Sequence, residues 1–154
     1  MQRARLIYHW LWAAGSVLLY GFPSKKVKVI AVTGTKGKSS TTEILSAILE
    51  EAGYKTALSN TIRFKIGNES QDNMYKMSMP GRSFIQRFLH QAVEAKCDYV
   101  VMEITSQGVI QHRNKFIDLQ ALVFTNLSPE HIESHGSYEK YVDAKVSIAN
   151  SVVL

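Results

Sequence analysis

The chain has 154 residues, 45% of them hydrophobic, with a formal net charge of +5 and a single cysteine. That length bounds the molecule to one domain or part of one, with enough apolar material for a core. One cysteine excludes an internal disulfide and fits the reducing cytoplasm. The positive balance suits an anionic ligand, but without a block of like-charged basic residues no nucleic-acid partner is expected.

In chain order, Arg3 and Arg5 precede residues 6–22, an apolar stretch of about 17 residues carrying Tyr8, Trp10, Trp12 and Tyr20. It is at the short limit for crossing a bilayer, His9, Gly15 and Ser16 interrupt it, and no small-x-small cleavage pattern follows. It predicts a helix packed on the domain or lying at a membrane surface through residues 6–22, rather than a span or a cleaved signal. Residues 1–26 read as an N-terminal apolar helix and linker, and residues 27–154 as the domain proper. Residues 27–33, apolar and β-branched, predict a buried strand. Residues 37–51 predict a helix that packs through Ile44, Leu45, Ile48 and Leu49, with Gly53 at its C-terminal cap. Residues 55–59 predict a second strand. Residues 62–66 alternate apolar with basic, as a half-exposed strand does, and Gly67-Asn68 predicts a turn. Residues 71–79 read as a polar loop whose Met74, Met77 and Met79 pack locally or line a pocket. Pro80 predicts the first position of a helix reaching Ala95, with Phe84, Ile85, Phe88, Leu89 and Val93 inward. Cys97 reads as a buried structural thiol before a strand over 98–104. A further strand is predicted over 119–125 and a last helix over 137–152, packing through Tyr141, Val142, Val146, Ile148 and Ala149. Strands alternating with helices imply an α/β fold of P-loop type, a mainly parallel sheet with helices on both faces.

The first strand runs straight into Gly34-Thr35-Lys36-Gly37-Lys38-Ser39-Ser40. Strand, glycine turn, lysine and helix in that order form a cradle for nucleotide phosphates. Glycines let the backbone approach, the first helical amides point at the anion, and the helix dipole favours it. Lys38 supplies a point charge for the β- and γ-phosphates and Ser39 a hydroxyl for Mg²⁺. The strict spacing of the general motif would put a glycine where this chain has Val32, so the loop is a variant. Glu103 at the end of its predicted strand is placed to hold Mg²⁺ beside the phosphates, and Asn126 ends another strand, so both can converge with the loop at the carboxyl edge of the sheet. His131 and His135 are four apart, but neither a His-Glu-x-x-His pattern nor a cysteine pair accompanies them, and the segment reads as a loop.

Three stretches together resemble a known family. Gly34-Thr35-Lys36-Gly37-Lys38-Ser39-Ser40-Thr41 is similar to the ATP loop of the Mur ligase superfamily. Residues Met102 to Arg113, reading Glu103-Ile104-Thr105-Ser106-Gln107-Gly108 and Gln111-His112-Arg113, resemble the corresponding segment of the MurE-like UDP-N-acetylmuramyl-tripeptide synthetases. Thr125-Asn126-Leu127-Ser128-Pro129-Glu130-His131, continuing through Gly136 to Ala144-Lys145, resembles that branch's third motif. The three motifs occur in family order and cover most of residues 27–148.

The resemblance implies an ATP-dependent amide ligase of peptidoglycan precursor synthesis, in which a carboxylate is phosphorylated and the acyl-phosphate is attacked by an amine. ATP and Mg²⁺ are the implied cofactors, and a UDP-muramyl peptide and an amino acid the implied partners. By motif, Gly34 to Ser40 and Asn126 would hold the nucleotide, Ser39 would help hold one Mg²⁺, and Glu103 and His131 would hold a second. Thr105, Gln111 and Arg113 would contact the muropeptide. Lys38 and His131 would act in catalysis with Lys145, which matches a lysine carbamylated in much of the family; without the motif Lys145 reads as a solvent-facing lysine. Lys36 replaces a usual Asn, Thr105 a usual Ser, Gln107 a usual His and Glu130 a usual Asp. The chain is expected to be a central domain incomplete at its C-terminus. A missing C-terminal ligase domain would then finish the site, and the chain alone would be inactive. Alternative readings are a folylpolyglutamate synthase-like or other Mur-like ligase without a UDP domain, and a non-catalytic nucleotide-binding module.

Overall fold

The computed structural model describes residues 2–129 and 136–153. Helix α1 (Gln2–Leu19) leads through a 3-10 turn at Pro23–Lys25 to β1 (Lys28–Thr33), α2 (Lys38–Glu51), β2 (Thr56–Ser59), β3 (Arg63–Ile66) and β4 (Glu69–Asp72). There follow α3 (Arg82–Glu94), β5 (Tyr99–Glu103), α4 (Ser106–Ile110), β6 (Ala121–Phe124), α5 (Tyr138–Val146) and a 3-10 turn at Ser147–Ser151. The strands form a six-stranded sheet in the order β4-β3-β2-β5-β1-β6. β2, β5, β1 and β6 run parallel, while β3 and β4 add an antiparallel meander at one edge.

The period of two in β1 decides the layering. Val29 and Ala31 point to one face, into a core shared with Ala57, Val100 and Met102 and with Ile85, Phe88 and Leu89 of α3. Val32 points to the other, with Leu58 and Val101, under Leu45 and Leu49 of α2. The sheet is thus buried on both sides, which its parallel part requires. α1 lies outside α3, its Ala13, Val17 and His9 buried and its Ser16 Oγ 2.9 Å from Ser83 Oγ. The expected packing of this helix on the domain is therefore observed. Among the described residues no helix is long and apolar enough to cross a membrane.

Several boundaries differ from expectation. Gln71 and Asp72 belong to β4, not to a loop. Its run Glu69-Ser70-Gln71-Asp72 is wholly polar and exposed, so hairpin pairing with β3 creates it rather than burial. Pro80 is not the first helical residue, because Gly81, in extended backbone, is the N-cap of α3. Ile44 and Ile48 do not pack: both are exposed, and Thr42 and Ser46 take the inward positions. Thr42 Oγ1 donates to Ser39 O at 2.7 Å and Ser46 Oγ lies 2.8 Å from Thr56 Oγ1, so these small hydroxyls are satisfied locally and admit the helix close to the sheet. The last helix is α-helical only to Val146 before tightening into the 3-10 turn, and Val152 then bridges Leu119. Val146 is exposed, while Tyr141 and Ile148 are buried as expected. Gly53 does close α2: with φ +88° it lets its own N–H reach Glu50 O and that of Tyr54 reach Leu49 O, pairing the carbonyls of the last turn.

Candidate active site

The carboxyl ends of β1, β5 and β6 bring the glycine loop, Glu103 and Asn126 to one edge of the sheet. Val32, where the general motif would have glycine, is still inside β1 in register with Glu103 and Val123, so the turn starts only at Gly34. Gly34 has φ +142°, and a Cβ there would meet Thr125 Oγ1 at 2.0 Å and Asn126 O at 3.0 Å. No side chain fits. Gly37, at φ +79°, is the N-cap of α2 and aims the first amides of that helix into the loop.

Side chains from distant segments hold the loop in shape. Asn126 Oδ1 accepts from Thr35 N at 3.2 Å and Lys36 N at 3.0 Å, while its Nδ2 donates to Lys36 O. Thr35 Oγ1 lies 2.8 Å from Tyr141 Oη and accepts from Ser128 N at 2.9 Å. Lys145 is buried and donates from Nζ to Gly34 O at 2.6 Å, with its ammonium 4.9 Å from the centre of the Tyr141 ring. It is therefore no solvent-facing lysine. Lys38 Nζ folds back onto Gly34 O at 3.1 Å and Thr35 O at 2.9 Å, and stands 4.0 Å from Glu103 Oε1. Lys36 and Ser40 are exposed.

Glu103 is buried and is the focus of the hydroxyls. Its Oε2 accepts from Ser39 Oγ at 2.9 Å, Thr61 Oγ1 at 3.1 Å and Thr61 N at 3.3 Å. One carboxylate and two hydroxyls form the hard oxygen donor set that Mg²⁺ prefers, and Mg²⁺ characteristically uses few protein ligands plus substrate phosphates. These residues therefore fit the ion. Among the described residues no three His, Cys, Asp or Glu gather. His131, expected to share the metal, lies with His135 outside the described residues.

Thr61 also lines a cavity of about 310 Å³ with Met77, Met79, Thr105, Gln111 and Arg113. Thr105 caps α4, accepting from Gly108 N at 3.2 Å, and Arg113 Nη1 donates to Met79 O. The three residues expected at a substrate thus meet in one cavity adjoining the Glu103 cluster. Met77 and Met79 take the pocket-lining role, whereas Met74 points to solvent. His112, in left-handed backbone, has its pKa lowered by burial and by the neighbouring Lys115. Burial pushes the Cys97 thiol up, as for an inert structural cysteine.

Sequence reasoning missed Thr61 and Tyr141 as parts of this site. Ser59-Asn60-Thr61 at the end of a parallel strand carries the positional signal for the first. Nothing in the order of residues announces that Tyr141, on a helix far along the chain, reaches Thr35.

A mainly parallel sheet whose first strand enters a helix through a glycine loop, with a lysine, a helical serine and a strand-end carboxylate converging, has the layout of a P-loop-type α/β domain. Residues 32–153 match the family described as Mur ligase middle domain, and the chain belongs to that family. A UDP-N-acetylmuramoyl-L-alanyl-D-glutamate–2,6-diaminopimelate ligase of Syntrophomonas wolfei is 40% identical over 129 residues, covering 84% of this chain and 26% of that protein. A UDP-N-acetylmuramyl-tripeptide synthetase of Borrelia garinii is 39% identical over 140 residues, covering 89% and 28%. The chain spans about a quarter of the length of these curated relatives. Among solved structures, a UDP-N-acetylmuramoyl-L-alanyl-D-glutamate–2,6-diaminopimelate ligase superposes with TM-score 0.71 at 26% identity, over 82% of this chain and 25% of that one. The structure of E. coli FolC in complex with DHPP and ADP superposes with TM-score 0.69 at 20% identity, over 89% and 38%, a likeness of fold alone.

Proposed function

We propose that this chain is the nucleotide-binding part of an ATP-dependent amide ligase that adds an amino acid to a UDP-muramyl peptide in the cytoplasm. The observation that carries this reading is the continuity of the site. The loop of Lys38 and Ser39 passes through Glu103 and Thr61 into the cavity of Thr105, Gln111 and Arg113 without a break. A phosphate donor and a carboxylate acceptor would lie side by side there, as phosphoryl transfer requires.

In this reading Lys38 releases the carbonyls of Gly34 and Thr35 and pairs with the phosphates, while the first amides of α2 take the remaining negative charge. Ser39, Glu103 and His131 would hold Mg²⁺, which would supply positive charge against the transferring phosphoryl group. The acceptor carboxylate, oriented by the forked donors of Arg113, attacks the γ-phosphorus and ADP leaves. The amine then attacks the acyl carbon, phosphate departs, and the nitrogen loses a proton. Lys145, buried against the loop, would on carbamylation exchange a cation for an oxygen ligand. A C-terminal ligase domain is the proposed partner that brings in the amino acid and shields the acyl-phosphate from water. The MurE-like names among relatives near 40% identity support this acceptor over a folate. The membrane contact expected of residues 6–22 is independent of this chemistry and concerns the face that α1 leaves open.

Calorimetric titration of ATP, with and without Mg²⁺, tests the reading. Lys38→Ala is expected to weaken binding about 30-fold, the loss of a charge-assisted contact worth about 2 kcal/mol. Equal affinity in both proteins would remove the phosphate role. Residues 1–154 alone are expected to form no amide with UDP-muramyl dipeptide, and a polypeptide that also carries the C-terminal domain is expected to form one.

A further inference from the structure

From Ile7 to Leu19 the side of α1 turned away from α3 is apolar. Ile7, Leu11, Leu18 and Leu19 are 61%, 57%, 68% and 78% exposed. At 100° per residue, Ile7, Leu11 and Leu18 form the centre of this face, with Trp10 on one flank and Tyr8 and Trp12 on the other, all exposed. The opposite arc, with His9, Ala13 and Val17, is buried. From Leu6 to Ser24 the sequence holds no Asp, Glu, Lys or Arg. A helix apolar all round is at rest only when both sides are covered, and an exposed patch of this continuity marks a binding surface.

Charge identifies what covers it. Arg3 and Arg5 precede the apolar stretch, Lys25 and Lys26 follow it, and the first acidic residue of the chain is Glu43. Lys25 and Lys26 are exposed just beyond the helix. On its flank Lys115 is exposed beside Phe116, whose ring meets Trp10 at 5.8 Å. Glu94, the acid on the neighbouring stretch of α3, lies 3.5 Å from His90. An apolar strip with aromatic flanks and basic ends is the pattern of a helix lying in the plane of a bilayer surface. The aromatic rings sit at headgroup level and the cations on acidic lipid. No described helix is apolar enough to cross, so the contact is with the surface.

We propose that α1 seats this domain on an anionic membrane surface, with Ile7, Leu11 and Leu18 entering the acyl boundary and Lys25 and Lys26 on the headgroups. The helix then joins two apolar bodies, the domain through its inner arc and the lipid through its outer one.

The chain's two tryptophans, Trp10 and Trp12, are both on α1, so selectively excited tryptophan fluorescence reports on this helix alone. Vesicles of phosphatidylglycerol mixed with phosphatidylcholine are expected to shift that emission to the blue and to carry the chain with them on flotation. Phosphatidylcholine vesicles are expected to do so at least tenfold less. Leu11→Glu with Leu18→Glu should abolish the shift while leaving ATP affinity unchanged, which shows that the variant is folded. Lys25→Gln and Lys26→Gln should each weaken partitioning about fivefold. Equal binding to both vesicle types, or binding that survives the double glutamate variant, overturns the proposal. So does a self-associating chain that ignores vesicles and becomes monomeric on Leu11→Glu, because the face would then belong to a second copy.

Discussion

Between Gly34 and Lys38 the chain reaches left-handed backbone with glycine, and side chains from β6 and α5 hold the resulting loop. The wall of the neighbouring cavity reaches the same region of backbone with Lys76 at φ +49°, and His112 at φ +54° lies between two lining residues. A local run writes the loop, and three separated segments assemble the cavity. Gly34 of the loop therefore admits no side chain, whereas the cavity wall is adjustable at a modest cost in strain.

The largest effect should come from Gly34→Ala. The new Cβ would overlap Thr125 Oγ1 and press on the backbone of Asn126, neither of which is the free end of a flexible chain. Thermal unfolding should show a loss of about 3 kcal/mol or more, and ATP titration no measurable binding. A small change in both would mean that the loop tolerates what its geometry forbids. Arg113→Ala comes next and should separate the two regions. Binding of UDP-muramyl dipeptide, measured by titration in the presence of ATP and Mg²⁺, should fall about tenfold, as expected for one lost charged hydrogen bond, with ATP affinity unchanged. A parallel fall in ATP affinity would show loop and cavity to be one unit.

The brace between them gives a smaller, pH-dependent effect. Arg63 donates to both oxygens of Glu43, at 3.0 and 2.5 Å, and Asn60 Nδ2 donates to Oε1 at 2.9 Å, tying α2 to the segment that carries Thr61. The Arg63 hydrogen bonds, outweighing burial, hold the Glu43 carboxyl below its ordinary value of 4.5. A depressed folded value means stability that is present above the ordinary value and lost as pH falls through the folded one. Urea unfolding should therefore show Glu43→Gln weaker by about 1 kcal/mol at neutral pH, the difference closing in acid. A difference that persists in acid would assign the brace to shape rather than charge. The smallest effect is expected of Lys76→Gly: relief of left-handed strain and loss of chain stiffness offset each other, leaving unfolding within about 0.5 kcal/mol of wild type. A large loss would show the cavity wall to be as intolerant as the loop.

The contrast also explains what was legible beforehand. β1 and β5 declare themselves as continuous apolar runs, α2 and α3 through a period of 3.6, and the loop through its glycines and the lysine and serine after them. Ile44 and Ile48 misled because periodicity counts apolar residues and not the hydroxyls of Thr42 and Ser46, which reach the sheet by bonding locally. β4 has no pattern of its own and exists through its partner strand. Thr105, Gln111 and Arg113 came only from resemblance, because their meeting with Thr61 depends on the order of strands in the sheet. Tyr141 reads from the sequence as a packing residue; its hydroxyl on Thr35 is a tertiary fact.

Lys38, resting on the carbonyls of Gly34 and Thr35, makes the loop its own first ligand. In the proposed reading an incoming nucleotide would meet a competitor already in place, so its apparent affinity would fall by the fraction of time the ammonium stays folded back; a tenfold bias would mean about tenfold weaker binding. In exchange the turn keeps its shape between turnovers and needs no ordering when the nucleotide arrives. The same arrangement works as a threshold. A ligand too short to reach Lys38 leaves it docked and gains only the helix amides, while a longer phosphate chain that recruits the ammonium gains a second, charged contact. In the proposed reading the loop would thereby measure the length of the phosphate chain before any chemistry begins.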